Sequence, residues 1–536
     1  MSVVEMQQVR AEPSSGRLAG VDVRWVGWAA VVLGVGLRLR WYLAGWSLWL
    51  DEVTLVESIL PRGFAGLAEP LANGHNAPIP WLWAIKATTL GLGESEYALR
   101  LLPLLAAVGV LVMVWLLGRR LIGAWPAALA TAVVALSYPQ SVYAAQTKPY
   151  TLDALWALGL IGLAWAAMQR GGAGRLVVLG LVGVVAVWFS HPAIFTLAGV
   201  GLVLLWHVWR ERRPGGEWAA LLAAGGLWLA MFGLNYVLFL KLEPADQWAW
   251  LYAYWRDLGG FPRGLGDVMW LPGRVEAMVM FVVGYEWLAW FGLAGWAAGA
   301  AWLGLRRPRV LALLGLPLVL ALLAGWISAY PFEGRMILFL APSVILMIAA
   351  ALPALLELAG WLGRRGGRSA ARTRRAGAAV AVAGVLGPVA AIGGYWATHG
   401  RIYATEQTAP VVAEMAPHVQ PGDRVILNFW ARAAWWYYAD QRDMLGSPVD
   451  LVHTPRNDSD VLEPIDTALA RQDGRAWLVV THYVMYWGDT ADEYRKLIEK
   501  HGRVIRHIEH AGTAAFLCDF SPTIARGRGP DGGPEP

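Results

Sequence analysis

Eleven stretches of this chain are apolar over the length of a membrane crossing: near residues 25–44, 99–118, 122–138, 151–168, 176–190, 192–209, 218–240, 280–304, 310–328, 336–358 and 377–397. A helix needs about 20 such residues to cross roughly 30 Å of hydrocarbon. Inside that layer only a helix or a closed barrel satisfies every peptide group. The pattern predicts a polytopic α-helical membrane protein of about 11 transmembrane helices, where 536 residues would otherwise imply several soluble domains. Composition agrees. Hydrophobic residues make up 57% of the chain and charged ones 15%, against about 25% in soluble proteins. The 32 tryptophans suit bilayer interfaces. A single cysteine, Cys518, excludes internal disulfides and cysteine-based metal clusters. The net charge of +5 is too small to make nucleic acid a partner.

Arginine placement sets the expected orientation. Arg119 and Arg120, Arg170 and Arg175, Arg210 to Arg213, Arg306 to Arg309 and the run from Arg364 to Arg375 occupy alternate gaps between spans. With residues 1–24 as a cytoplasmic tail, every inward gap is basic, as the positive-inside rule requires. The first span, lacking a small-residue cleavage site, is expected to be a retained anchor. Residues 25–397 then form a transmembrane domain. The outer side holds the 45–98 loop, the 139–150 gap, the 241–279 loop and everything after 398. The segment 78–92 is apolar but carries Lys86, and reads as an interfacial helix.

Residues 398–525 change character and read as a soluble outer-face α/β domain. Asp423 to Phe429 and Ala476 to Thr481 are expected strands, Ala431 to Tyr438 and Asp492 to His501 helices, and Val504 to Ile508 with Ala514 to Phe520 a hairpin. Residues 526–536, rich in glycine and proline, are expected to be disordered.

The chemistry points to the first outer loop. Trp49-Leu50-Asp51-Glu52 places two carboxylates at the membrane surface among aromatic rings. Charge there is costly and usually functional, and burial is expected to raise a carboxyl's pKa and make it a proton acceptor. The plainer alternative is that Asp51 caps a helix over residues 52–60. Farther along the loop come His75-Asn76-Ala77-Pro78, Gly93-Glu94-Ser95-Glu96 and Leu99-Arg100-Leu101-Leu102-Pro103.

This succession (membrane-proximal Asp-Glu, His-x-x-Pro, then Gly-Glu-x-Glu-x-x-x-Arg-x-x-Pro opening the second span) resembles the bacterial branch of the GT-C glycosyltransferases. The likeness is to family 39, the protein O-mannosyltransferases, and to the related aminoarabinose lipid A transferases and bacterial glycosyltransferases of that branch. Tyr143-Ala-Ala-Gln-Thr-Lys148-Pro149-Tyr150 and Tyr330-Pro331-Phe-Glu-Gly-Arg335 fit the same pattern. The likeness covers roughly residues 25–360. The chain departs from the pattern where Val53-Thr54 follow the acidic pair and where His75 stands in place of a lysine.

The resemblance implies a GT-C fold in a bacterial inner membrane and an enzyme of the cell envelope. That enzyme transfers a hexosyl or pentosyl group from a polyprenyl-phosphate carrier to a hydroxyl of a glycan, lipid or protein acceptor at the outer face. The residues suit the task in their own right. Arg38, Arg40, Lys86, Lys148 and Arg335 are candidate cations for a phosphate, with His75 and Tyr150 as further substrate-binding candidates. Asp51 is the candidate general base of an inverting displacement, and Glu52 its catalytic partner. No cofactor or metal is implied, because the leaving group is a lipid monophosphate that fixed cations stabilise. Plainer roles stand beside these: Arg38 and Arg40 snorkelling, Lys148 in a turn, Arg335 paired with Glu333, His75 as a cap, and Arg100 near Glu94 and Glu96.

Asp458-Ser459-Asp460 has a metal-binding D-x-D form but lies in a polar loop without a nucleotide fold, and His453, His482 and His501 are too scattered to predict a metal. No metalloprotease, P-loop or serine-hydrolase motif occurs. The rival reading is a polytopic secondary transporter or lipid-carrier flippase, which would place its ionisable residues mid-span. The carboxylates here collect at the outer interface instead.

Overall fold

The computed structural model describes residues 17–18, 21–71, 75–239, 241, 245–264, 266–365, 387, 389–394, 406–457, 460–482 and 491–521. The expected tail 1–24, the last span 377–397 and the C-terminal 526–536 lie wholly or largely outside these residues. Among the described residues, seven helices are long and apolar enough to span a membrane. They include α1 (Val23–Leu43), then α4 (Glu96–Leu121) after the shorter α2 (Leu50–Ile59) and α3 (Ile79–Leu92). Next come α5 (Ala124–Leu136), too short to count as a span, and the span α6 (Tyr150–Arg170). Further on are α7 (Ala173–Phe189), α8 (Ala193–Arg210) and α9 (Gly215–Leu238). After α10 (Ala245–Asp257) follow α11 (Trp270–Val283), α12 (Ala289–Arg306) and α13 (Pro308–Trp326). The last span opens with the 3₁₀ turn Gly334–Leu340 and continues through α14 (Ala341–Ala349) into α15 (Ala351–Arg365).

Two differences from the sequence reading have clear causes. The expected helix 280–304 is two helices, α11 and α12. Gly284 takes a left-handed φ of +82° that ends α11, and a Cβ there would sit 2.8 Å from Pro139 Cδ. The expected third span shortens to the 13 residues of α5 and the fifth starts earlier, as the 17 residues of α7, because Gly123 and the Gly171-Gly172 pair, all at positive φ, set where α5 and α7 begin.

The arginine-bearing gaps gather at one end of the bundle. Arg307 donates to the carbonyl of Leu121 (2.8 Å), and Arg309 pairs with Glu211. Arg119, Arg120, Arg170 and Arg210 close their helices, where a cation complements the dipole. The 45–98 loop lies at the opposite end. Arg38, one of the expected phosphate cations, is fully buried instead. Its guanidinium donates to the carbonyls of Gly34 and Val134 (3.1 Å each), tying α1 to α5. Lys86 is buried too, and its ammonium caps the carbonyl of Leu60 at 2.5 Å. Arg40 is exposed in the last turn of α1. These three serve the scaffold or face outward, because helix phase, invisible in a hydropathy window, decides where a cation points.

The C-terminal residues form a five-stranded sheet of order β2-β1-β3-β5-β4, with β1 (Arg424–Leu427), β2 (Asp450–His453), β3 (Arg475–Thr481), β4 (Arg503–His510) and β5 (Thr513–Asp519). β1 pairs in parallel with β2 and β3, and β5 is antiparallel to both β3 and β4. The strands alternate faces with period two. Ile426, Leu478, Val480 and Phe516 pack on α18 (Leu462–Leu469) and α19 (Ala491–Glu499). The opposite residues, Val425, Leu427, Trp477, Val479 and Leu517, pack with α16 (Thr408–Met415) and with α17 (Ala431–Trp435) and the π turn after it. They join one continuous core with Leu48, Val53, Val56, Ile59 and Trp81 of the 45–98 loop and Leu99 of α4. The C-terminal domain is therefore not tethered separately but seated on α2 and α3. Tyr438 Oη accepts from the Leu48 N–H at 2.6 Å, Ser47 Oγ accepts from the Ala409 N–H at 3.0 Å, and Arg442 pairs with Glu96 at 2.8 Å.

Helix α12 crosses α14 with almost no side chain between them: a Cβ on Gly299 would lie 1.8 Å from the Met347 carbonyl oxygen. Gly299→Val should lower the melting temperature in detergent, at a cost of about 3 kcal/mol or more since backbone must move, while Gly304→Val, with its nearest neighbour at 3.4 Å, should be near neutral by the same melting assay.

Candidate active site

The site begins with a buried ion pair. Glu52, in the first turn of α2, is 1% exposed and bonds Arg100 of α4 in a two-pronged contact: Nε to Oε1 at 2.9 Å and Nη2 to Oε2 at 2.6 Å. The Thr147 N–H donates to the same Oε1 at 2.7 Å, and Arg100 also donates to the carbonyls of Trp46 (2.7 Å) and Ser47 (3.1 Å). Both oxygens of Glu52 are occupied, so it does not serve as the second catalytic carboxylate expected from the sequence. It ties the first outer loop to α4 and to the 139–150 gap. Arg100 pairs with Glu52, not with Glu94 or Glu96, because it sits one turn inside α4 and faces the loop.

That tie presents Asp51. The N-cap of α2 is Trp49, without a side-chain cap, so Asp51 does not cap the helix. Its Oδ2 meets Arg335 Nη2 at 2.8 Å, with about a quarter of the carboxylate side chain and a fifth of the arginine's exposed. Arg335 stands at the mouth of the last described span, with its guanidinium over the rings of Trp255 (5.3 Å) and Trp49 (5.8 Å). Its Nε is buried without a partner among the described residues. The expected Arg335–Glu333 pair does not form; Glu333 pairs with Arg274 of α11. The Tyr150 hydroxyl lies against Arg335.

Electrostatics reverse one expectation. Burial by itself raises the Asp51 carboxyl, but the Arg335 guanidinium, then Lys148 and His75, outweigh it and hold the group well below the usual carboxylate range. Asp51 is thus a fixed anion in the resting site. Lys148, 6% exposed, is lowered by burial and by the charge of Arg335, against the pull of Asp51 and Glu52. His75 is taken down to about 3, by burial first and the Lys148 charge next, and is neutral. Thr54 donates its only hydroxyl proton to the Leu50 carbonyl (2.6 Å), so His75 Nε2–H must be the donor in the 2.6 Å contact with Thr54 Oγ1. The other ring nitrogen, Nδ1, then carries a lone pair. Asp51, His75, Lys148, Tyr150 and Arg335 thus come together, while Arg40 and Lys86 are not among the charges acting on Asp51.

Beside this cluster runs an apolar groove of about 350 Å³, lined by Tyr138, Val142, Tyr143, Met280, Phe281 and Tyr285. Tyr143 joins groove to cluster: its ring meets Tyr150 (5.4 Å) and Phe281 (6.3 Å), and burial pushes its phenol up to about 12, keeping it a donor. Sequence reading missed Asp153. It is 6% exposed in the first turn of α6, its Oδ1 has no partner among the described residues, and it lies near Ser190 and Tyr330. The signal was available: an acid within an apolar span. Trp255 and Tyr254 of α10 were also missed, since nothing local distinguishes them from the other aromatic residues. Asp460 caps α18 by accepting from the Leu462 and Glu463 N–H groups (3.0 and 3.1 Å), and Asp458 lies outside the described residues.

Two stability predictions follow from these contacts. In a double-mutant cycle on Asp51→Asn and Arg335→Gln, thermal denaturation should give a favourable coupling of about 1–3 kcal/mol. His75 has a folded pKa below its unfolded value of about 6.5. The unfolded chain therefore binds the extra proton, and stability should fall as pH drops from about 6.5 toward 4. His75→Gln should flatten that slope in melting curves taken across the range.

No family model and no curated protein matches the chain in sequence. Solved structures do match in fold. ArnT from Cupriavidus metallidurans bound to undecaprenyl phosphate aligns with a TM-score of 0.50 at 16% identity, over 92% of this chain and 98% of that one. The apo form of ArnT gives 0.49 at 17% identity over 92% and 98%. The Archaeoglobus fulgidus oligosaccharyltransferase, in complex with Zn and sulfate, gives 0.49 at 14% over 93% and 73%. At that coverage the alignment takes in both the membrane helices and the C-terminal sheet domain, and the chain shares the fold of that ArnT structure.

Proposed function

We propose that this protein is an integral membrane glycosyltransferase that moves a sugar from a polyprenyl-phosphate-linked donor to an acceptor hydroxyl at the outer face of a bacterial inner membrane. The observation that carries this reading is the Asp51–Arg335 pair, with Lys148 beside it, at the end of an aromatic groove. A lipid-linked phosphate needs both an apolar channel and fixed cations at the interface. The solved ArnT bound to undecaprenyl phosphate supports the choice of carrier. The basic end of the bundle is assigned to the cytoplasm, which puts the site outside.

In this reading the prenyl chain follows the groove past Tyr143 and Phe281, and the phosphate takes Arg335 and Lys148. Arg335 has a buried Nε–H to give, and Tyr143 a hydroxyl. Once the phosphate draws these cations away, Asp51 loses the charges that held it acidic, and burial then makes it a better base. The acceptor O–H proton passes to Asp51 as the acceptor oxygen bonds the anomeric carbon. The bond from that carbon to the phosphate oxygen breaks, its electron pair going to the polyprenyl phosphate. Attack opposite the leaving group inverts the anomeric centre. Glu52 positions the loop. The cations of the chain neutralise the leaving group, and no divalent metal is required.

Purified protein incubated with radiolabelled polyprenyl-phosphate sugars and membrane extract should transfer label, unaffected by EDTA. Asp51→Asn should lose about 10²-fold or more in rate. Arg335→Gln and Lys148→Gln should lower kcat and weaken donor binding together. Full activity in Asp51→Asn would exclude it as the base. Release of labelled donor across vesicles without sugar transfer would favour the flippase.

A further inference from the structure

The aromatic groove beside the cations is short and its walls are fixed. One wall is the short helix Tyr138–Val142 with Tyr143 after it; the other is the last turn of α11, Met280 to Gly284, with Tyr285 after it. Each is little more than one helical turn long. The walls close on each other at Gly284, where an added Cβ would lie 2.8 Å from Pro139 Cδ and 3.1 Å from the Tyr138 nitrogen. Two hydrogen bonds cross between them. Ser137 Oγ donates to the Val282 carbonyl at 3.0 Å, and the Tyr285 hydroxyl donates to the Leu136 carbonyl at 3.3 Å. The groove therefore has a set capacity, which a longer occupant does not enlarge.

Its two ends differ. Tyr143 marks the end at the cations: its ring meets Tyr150 at 5.4 Å, and the Tyr150 hydroxyl lies against Arg335. Tyr285 marks the other end, with the Trp287 ring 6.1 Å beyond it. Burial falls away along that line. Tyr285 is 6% exposed, Trp287 50%, Trp290 73% and Phe291 71%. Arg306 closes α12 at the basic end of the bundle, so these exposed rings stand at the end that carries the 45–98 loop. Past Tyr285 a lipid tail would touch protein on one side at most. Lipid chains are as apolar as any side chain, so a one-sided contact in the bilayer gains nothing from the hydrophobic effect.

Capacity then sets a length. The groove holds about 350 Å³, and a five-carbon isoprene unit fills roughly 130 Å³ at the packing density of a protein interior. About two or three units fit. Resting on the lipid-phosphate reading above, we propose that the protein recognises its donor's lipid only over the first two or three isoprene units after the phosphate. The rest of the tail is left to the bilayer. The substrate class is thereby wider than a long polyprenyl carrier: an isoprenoid phosphate of about 10–15 carbons fills the same walls and is held as well as a full-length one. Selection within the groove comes from packing against Val142, Tyr143, Met280 and Phe281, which distinguishes a filled groove from an empty one and is blind to what lies outside.

Competition binding tests this without turnover. The full chain in detergent is loaded with ³H-labelled C55 polyprenyl phosphate, which unlabelled prenyl phosphates of C5, C10, C15, C20 and C55 then displace, with concentrations taken as mole fraction in the micelle. Affinity should rise about tenfold or more from C5 to C15 and by less than about threefold from C15 to C55. Val142→Trp, which fills the groove, should weaken C15 and C55 alike by about tenfold, while Trp290→Ala should change C55 by less than about twofold. A rise of threefold or more from C15 to C55 overturns the proposal, as does a loss in Trp290→Ala confined to C55. So does a Val142→Trp protein that melts like wild type and binds C15 unchanged; should that variant not fold, the wild-type series decides by itself. If the labelled C55 phosphate does not bind at all, the lipid-phosphate reading falls and this proposal with it, whereas binding with the wrong length dependence removes this proposal alone. The expected series in a protein that transfers no sugar would uphold the groove's selectivity and reject the transferase.

Discussion

The buried contact between Glu52 and Arg100 organises everything above it. One carboxylate and one guanidinium bind each other twice, and between them they also hold the backbone of Trp46, Ser47 and Thr147. Three separate segments meet at one point: the end of the first outer connection, the start of α2 and the 139–150 gap. Removing either partner would strand a charge with almost no exposure, which typically costs about 3–5 kcal/mol. The preceding residue in the chain, Asp51, inherits its position from that junction.

Asp51 and Glu52 are adjacent and chemically alike, yet their surroundings give them opposite duties. Glu52 spends both oxygens on structure. Asp51 keeps one strong partner, Arg335, from the far end of the sequence, and remains a quarter exposed beside a groove. A carboxylate held acidic by cations is a poor base at rest, and the same cations are what a phosphate would take. In the proposed reaction, donor binding and base strength would be linked through Arg335 and Lys148. Trp49 and Trp255 flank the guanidinium and keep it dry enough for its charge to act at full strength.

The C-terminal domain is joined to this centre through a shared apolar core and not through a linker. One face of the sheet packs with α2 and α3, and Tyr438, Ser47 and Arg442 satisfy polar groups at the seam. A domain seated in this way fixes the distance between its own residues and the membrane surface.

Much of this was legible in the chain alone. The long apolar runs could only be membrane helices, since unpaired peptide groups are prohibitive in hydrocarbon. The strands at residues 424–427, 475–481, 503–510 and 513–519 were also readable, because period is a local property, and the sequence had already singled out Asp51, His75, Lys148 and Arg335, which the structure brings together. The fates of individual charges were not. Arg38 and Lys86 look like interface cations in sequence but are spent on backbone carbonyls, and Arg335 and Arg100 each chose a partner other than the nearest one in sequence. The 280–304 run broke in two because Gly284 adopts a left-handed turn against Pro139. Composition and periodicity determined that this chain is a membrane bundle followed by an α/β domain, since solvent transfer is additive along a segment. Which carboxylate is spent on Arg100 and which meets Arg335, some 280 residues away, only the tertiary structure decided, since helix phase and long-range pairing depend on the whole packed assembly.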